Sequence, residues 1–339
     1  MITMKSVVFT QPGKFVIEDR PVPKIGPGDL LLKVAACGVC GTDIHIFHGE
    51  HFVQFPVVPG HEYSGEVVEA GAEVSHIKVG DRVTVDPNIT CGVCHFCRRG
   101  HIHLCENLTA LGVNMDGGFA EYPLVPAKQA YKLPGELPLE QAALVEPLAC
   151  CVHGIDLAEV SVGDDVLIIG AGPIGLIMMQ LARLAGARRV LVSEPYESRR
   201  NLASRLGADV VIDPANQDVR EEVLKETEVG ADVVIECVGS PKTSEQAPSL
   251  AKRGGMILLF GVTSPDLEAR IKPYDIFLRE LTIRGSFINP FTHARAVGLL
   301  AAGKVQVEAL ISHRLRLDDF GKALSLAGTP EAAKILIEP

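Results

Sequence analysis

The sequence predicts an α/β protein in which a doubly wound parallel sheet is joined to a β-rich domain, and three observations lead there. The first is residues 166–184, VLIIGAGPIGLIMMQLARL: an unbroken apolar run over 166–169, a glycine turn from Gly170 to Gly175, and a helical pattern ending near Gly186. The second is the spacing of apolar runs that begin at Val166, Val190, Val210, Val233 and Met256, with helix-like stretches such as 198–206 and 243–251 between them. Strand and helix alternating in this way is the pattern of a parallel sheet covered by helices on both faces. The third is the different texture of residues 1 to about 145. Short alternating strands at 7–9, 30–34, 64–68 and 82–85 are broken there by Pro12-Gly13, Gly26-Pro27-Gly28 and Gly80-Asp81.

Strand, glycine turn and helix in that order suit a dinucleotide. Gly170 makes the tight turn, Gly172 lets backbone N–H groups approach a pyrophosphate, and Gly175 lets helix and strand pack closely, with Pro173 and Ile174 between them. The helix N-terminus adds the positive end of its dipole. The next strand, 190–193, runs into Glu194, about 20 residues beyond the turn, where an acid is expected on the adenosine ribose. A carboxylate there accepts both ribose hydroxyls and repels a 2′-phosphate, so the pattern indicates NAD. The competing reading of 166–179 is a membrane span, since the stretch carries no charge or amide. It falls short of the about 20 residues a bilayer requires, and Gln180 and Arg183 close it.

At 339 residues, two domains are expected. The formal net charge of −10 argues against a nucleic-acid or other polyanion-binding surface and favours a soluble protein. Residues 4–10 already read as a strand, so no signal peptide is expected and the location is expected to be cytoplasmic. The nine cysteines are odd in number and clustered, which favours metal binding over disulfides in a chain of this kind.

Cys91, Cys94, Cys97 and Cys105 form C-x2-C-x2-C-x7-C. Four thiolates on one loop suit tetrahedral zinc in a closed, structural site, with an iron–sulfur cluster or redox thiols as the alternatives. A second group is dispersed: Cys40 in CGVCGTDIH, His61-Glu62 in PGHEYSG, and Glu146 in LVEPLAC. Cysteine, histidine and carboxylate make a mixed set that can hold zinc and leave a position for water or substrate. Each residue also has a plainer reading: Cys40 as a core cysteine, His61 as a satisfied loop histidine, Glu146 as a surface acid before a proline. Spacing alone leaves both readings open. Cys37, Cys150, Cys151 and Cys237 read as structural.

GHEYSGEVVEAG, VGDRV, the four-cysteine lobe, DGGFAEY and GAGPIG follow one another in an order that resembles the zinc-containing medium-chain dehydrogenase/reductase family over essentially the whole chain. The resemblance implies a Rossmann domain and a discontinuous, GroES-like catalytic domain. The catalytic domain would cover residues 1–146, with a structural-zinc lobe at 88–108, the NAD-binding domain 147–285, and residues 286–339 would return to the catalytic domain. Matched motif by motif, Cys40, His61 and Glu62 fall on the catalytic zinc positions. Glu146 falls where the polyol dehydrogenase branch has a glutamate, as a fourth ligand or the partner of a zinc-bound water. Thr42 and His45 match the hydroxyl and imidazole that pass the substrate proton to solvent. Glu194 and Arg199 match a ribose-contacting pair, with Arg199 able to accommodate a phosphate instead. The turns at Gly261-Val262 and Phe287-Ile288 match segments flanking nicotinamide.

The activity so implied is reversible, NAD-linked oxidation of a secondary hydroxyl of a polyol to the ketose, with zinc acting as Lewis acid. Sorbitol-oxidising members carry a tyrosine after the relay histidine and an arginine–tyrosine pair that contacts substrate hydroxyls. This chain has Ile46, and Ile288 and Asn289, instead. That implies a less polar pocket and a shorter polyol, with Asn289 and Glu146 as its polar contacts. Threonine and sugar-phosphate dehydrogenases share the layout, and a zinc- and NAD-binding relative without turnover is the alternative outside enzymes. The intact set Cys40, Thr42, His45, His61, Glu62 and Glu146 argues against the last. The resemblance further implies a homotetramer or homodimer, with residues 281–287 able to extend a sheet across a dimer.

Overall fold

The computed structural model describes residues 2–50 and 53–339. The chain forms two compact units: one of Met1–Ala149, Pro290–Gly303 and Leu310–Pro339, the other of Cys150–Asn289 and Lys304–Ala309. The sequence boundaries drawn above, after residues 146 and 285, differ from these by a few residues. Residues 304–309 join the second unit, where Gln306 exchanges hydrogen bonds with Gln180 through its N–H (2.7 Å) and carbonyl (3.2 Å).

The first unit opens with the antiparallel pair β1 (Thr3–Gln11) and β2 (Lys14–Pro21), which turns at Gly13 with φ +73°. β3 (Asp29–Gly38) leads into a short helix, α1 (Gly41–His48). β4 (Glu62–Ala70) and β5 (Arg82–Val85) follow. The cysteine lobe is held between the two-residue strands β6 (Asn88–Ile89) and β7 (Thr109–Ala110). β8 (Leu124–Pro126), β9 (Ala130–Lys132) and α2 (Leu139–Ala142) complete this part, and α3 (Val145–Ala158) begins in it and belongs to the second unit from Cys150 onward.

In the second unit β10 (Asp165–Ile169), α4 (Pro173–Ala185), β11 (Arg189–Ser193), α5 (Glu197–Arg205), β12 (Val210–Ile212), α6 (Val219–Thr227), β13 (Ala231–Glu236), α7 (Pro241–Leu250), β14 (Ala251–Leu259), α8 (Pro273–Arg279) and β15 (Thr282–Gly285) alternate as the apolar runs predict. The sheet is parallel throughout, in the order β12-β11-β10-β13-β14-β15. All five residues of β10 are buried, which is why its sequence shows no alternation. The helix expected over 243–251 stops at Leu250, and Ala251 already pairs with Ala231, so β14 begins five residues before Met256. The strand expected over 281–287 is the four-residue β15.

The chain then returns to the first unit through α9 (His293–Ala301), β16 (Ile311–Arg316), α10 (Phe320–Leu326) and β17 (Lys334–Glu338). β17 pairs with β3, giving the order β16-β17-β3-β4-β5-β9, with β8 also on β3. The return is sealed by packing. Phe320 meets Phe119 at 4.9 Å and Phe9 at 5.9 Å between ring centroids, all three wholly buried. Each such ring contributes about 1.5–3 kcal/mol by burial, so residues more than 300 positions apart share one core.

Candidate functional site

The first site is built where two chain segments converge. Cys40 immediately precedes α1, and His61-Glu62 stand at the start of β4. One ligand atom from each of Cys40, His61 and Glu62 lies within 4.8 Å of the other two. Among the described residues this is one of two such groups. A thiolate, an imidazole and a carboxylate at that separation fit a zinc ion, and three protein ligands are what a catalytic site with an open position uses. Glu146 is buried in the first turn of α3 rather than exposed, but its carboxylate falls outside this group of three.

Two residues that the sequence did not single out hold the group in place. Asp43 is wholly buried, and its carboxylate accepts the N–H of Cys40 at 2.8 Å and that of Gly60 at 3.2 Å, and stands 3.6 Å from Nδ1 of His61. Its place three residues after Cys40, at the first turn of α1, has the spacing of a capping box, which is the signal that could have found it. Lys334 comes from the first residue of β17. Its ammonium donates to both carboxylate oxygens of Glu62, at 2.9 and 2.7 Å, and to the carbonyl of Val39 at 3.2 Å. No local sequence signal points to it. Gly38 has no room for a side chain, because a Cβ there would collide with Glu62 Oε2.

The charges shift the imidazole. Burial alone would push the pKa of His61 down, but the Cys40 sulfur and the Asp43 carboxylate outweigh it and hold it well above the ordinary histidine value. A metal binding here therefore displaces a proton, and Asp43 is placed to orient the ring. On α1, Thr42 lies 3.8 Å from the Cys40 sulfur, and His45 Nδ1 lies 2.5 Å from a carboxylate oxygen of Glu50. Thr42 and His45 are three apart and share a helix face. Ile46 is wholly buried in the hydrophobic core, so it packs the domain rather than lining a substrate wall, contrary to its expected role.

The second metal-type group is the cysteine lobe. The sulfurs of Cys91, Cys94, Cys97 and Cys105 lie within 4.8 Å of one another, with no disulfide. Cys94 and Cys105 are 4.0 Å apart, close to the about 3.8 Å edge that Zn–S bonds of about 2.3 Å give a tetrahedron. Backbone N–H groups point at the sulfurs: Cys91 N to Cys105 Sγ at 3.3 Å, Cys94 N to Cys91 Sγ at 3.4 Å and Cys97 N to Cys94 Sγ at 3.5 Å. The Cys91 thiol is held down to about 6, first by the N–H groups of Val93 and Cys94, whereas burial and its sulfur neighbours push Cys97 up to about 12. Four thiolates gathered without a cation repel one another, which is the condition a divalent metal relieves.

In the second unit Gly170 takes φ +96°, Gly172 caps α4, and Pro173 is its first residue. A Cβ on Gly175 would collide with the carbonyl of Gly170, so strand and helix meet here only because the residue is glycine. Ile174 follows in the first turn. Glu194 is buried at the end of β11, where its carboxylate accepts the N–H of Ala171 at 2.8 Å and that of Tyr196 at 3.0 Å. It is thus fixed against the glycine turn. Arg199 lies over the Tyr196 ring, 5.2 Å from its centroid. Val262 and Phe287 are exposed apolar side chains, Gly261 packs on Gly239, Ile288 has φ +47°, and Asn289 is 1 % exposed. Burial leaves Asn289 little surface to offer a substrate.

Among the described residues no helix is long and apolar enough to cross a membrane. Residues 26–135 match the family described as alcohol dehydrogenase GroES-like domain, and residues 173–301 the family described as zinc-binding dehydrogenase. The chain is 38 % identical to D-arabinitol dehydrogenase 1 of Uromyces fabae, over 99 % of this chain and 97 % of that one. It is 40 % identical to L-threonine 3-dehydrogenase of Pyrococcus furiosus, over 98 % of each. Among solved structures, a zinc-binding dehydrogenase of Sinorhizobium meliloti 1021 bound to NADP is 45 % identical with a TM-score of 0.97, covering 100 % of both chains. With a zinc-type donor set, a dinucleotide turn and relatives over its full length, the chain belongs to the zinc-binding medium-chain dehydrogenase/reductase family and is a zinc-dependent, NAD(H)-linked oxidoreductase acting on a CH–OH group.

Proposed function

We propose that the substrate is an uncharged polyol, oxidised reversibly at a secondary hydroxyl to the ketose with NAD. The observation that carries this is the charge of the first unit's interior. Its buried acids include Asp43, Glu62 and Glu146, whereas the only buried lysine or arginine among the described residues is Lys334, which is committed to Glu62. A carboxylate or phosphate on the substrate would meet acidic groups without a free cation, and like charges in a desolvated site cost several kcal/mol. A neutral polyol avoids that cost. The likeness to an arabinitol dehydrogenase supports the same class.

When bound, zinc supplies Lewis-acid polarisation of the hydroxyl oxygen and NAD accepts the hydride. Cys40, His61 and Glu62 would hold the metal, and Asp43 orients the first two. Glu146, outside the group of three, would act as a hydrogen-bond acceptor for a neighbouring hydroxyl or water. Thr42 and His45 would carry the departing proton towards solvent, with Glu50 accepting from the imidazole. A second zinc in the four-cysteine lobe stabilises its loop. NAD is preferred over NADP because Glu194 would face a 2′-phosphate with like charge. The absence of a disulfide among the described cysteines suits the reducing cytoplasm, and the edge strand β15 suits pairing with a second copy.

Initial rates with NAD across pentitols, hexitols, vicinal diols, threonine, a polyol phosphate and ethanol test the proposal. Polyols should give the highest kcat/KM, and Glu146→Ala should narrow their margin over ethanol. A buried acceptor left unpaired by ethanol costs about 1–3 kcal/mol, or about 10–100-fold in that margin. Threonine or a phosphorylated polyol coming out best would overturn the substrate class while leaving the metal site untouched.

A further inference from the structure

We propose that Glu236 is a positioning residue for the nicotinamide half of the cofactor, an inference that rests on the dinucleotide reading of the second unit. Strand order reverses between β10 and β13, and in a doubly wound sheet the ligand lies across that switch point, outside the carboxyl ends of the strands. The turn after β10 and Glu194 after β11 serve the adenosine half. The turns after β13 and β14 are left to frame the other half.

Glu236 is the last residue of β13 and is 0 % exposed. One of its carboxylate oxygens accepts the N–H of Val238 at 2.8 Å, that of Gly239 at 3.0 Å and the hydroxyl of Thr243 at 2.9 Å. Its backbone carbonyl accepts the N–H groups of Phe260 and Gly261, both at 2.9 Å, from the turn after β14. The two turns also touch directly: a Cβ on Gly261 would collide with Gly239 N and stand 2.8 Å from Glu236 Oε2, and a Cβ on Gly239 would collide with Val262. A single buried residue thus fixes both turns through its main chain and its side chain.

Above this knot the turns expose two apolar side chains, Val238 at 51 % and Val262 at 73 %. Val238 also reaches the dinucleotide turn, since a Cβ on Gly170 would stand 2.8 Å from its Cγ2. Exposed valines on turns this firmly held form a surface that a flat, partly apolar ring would cover. A buried carboxylate bonded only by neutral donors is costly compared with an apolar residue, and its position at the strand end accounts for that cost by preorganising the turns.

The test compares two ligands of the zinc-loaded enzyme. AMP reports on the adenosine half alone, and NADH, followed by its fluorescence, reports on both halves. Glu236→Gln places an amide where N–H donors converge. It should weaken NADH binding at least tenfold while leaving AMP affinity within twofold of the original protein. Thr243→Ala removes one of the bonds and should weaken NADH about threefold with the same selectivity, which keeps the test decisive if the first variant does not fold. NADH affinity unchanged in the folded variants, or AMP and NADH weakened in parallel, would overturn the inference. Failure of AMP to bind the original protein would instead overturn the dinucleotide reading on which the inference rests.

Discussion

The ammonium of Lys334 is bonded to both carboxylate oxygens of Glu62, and the two residues are only 4 % and 1 % exposed. A strand from the far end of the chain therefore neutralises an acid in the metal group. Burial would release the proton of Lys334, but Glu62 first and then the Cys40 sulfur raise its pKa above the ordinary lysine value, so the pair is ionic. Lys334→Met would leave a buried, unpaired carboxylate and should cost about 3–5 kcal/mol of folding stability. Urea unfolding with and without zinc checks this. The loss should be larger in chelator-treated protein, because the metal offers Glu62 a second partner. An equal loss in both would show that Glu62 does not reach the metal.

The cysteine lobe predicts a metal whose removal lowers stability and not chemistry. Cys94→Ser should release one zinc per chain and lower the melting temperature, with kcat at low temperature changed less than twofold. Metal analysis beside calorimetry reads both quantities. Unchanged zinc content would sink the structural-zinc proposal.

Glu194 is held by the N–H groups of Ala171 and Tyr196, so its carboxylate cannot swing away from a bound ribose without losing both bonds. NAD should therefore exceed NADP in kcat/KM, and Glu194→Ala should narrow the ratio at least tenfold. The Sinorhizobium meliloti relative solved with NADP makes this comparison pointed. Equal use of the two cofactors by the unaltered enzyme would refute the preference.

His293 is wholly buried on α9, its ring 4.7 Å from that of Tyr131, and burial pulls its pKa down to about 3. The unfolded histidine titrates near 6.5. Between those values the unfolded state holds one more proton than the folded state, so stability is complete above about pH 6.5 and falls by about 1.4 kcal/mol per pH unit below it. His293→Phe should flatten that acid limb between pH 6.5 and 4. Identical slopes in the two proteins would show that other groups govern acid unfolding.

The alternation of strands and helices over β10 to β15 was legible because periodicity and glycine placement are local consequences of backbone geometry. The four-cysteine lobe was equally legible, since all its sulfurs come from fifteen consecutive residues. Element ends were less so. Ala251 looked like the last turn of a helix, and only its pairing with Ala231 makes it a strand residue.

What the sequence determined by itself is therefore what neighbours along the chain decide: the dinucleotide turn at Gly170 to Gly175, the acid Glu194, the clustered thiols, and the residue types Cys40, His61 and Glu62. Tertiary structure decided which distant groups complete them. It buried Ile46 in the core, kept Glu146 outside the 4.8 Å metal group, and brought Lys334 to Glu62 and Asp43 to His61. The reason is physical: a buried charge must find a partner wherever the fold supplies one, and sheet pairing of β17 with β3 supplies Lys334 from 272 residues away.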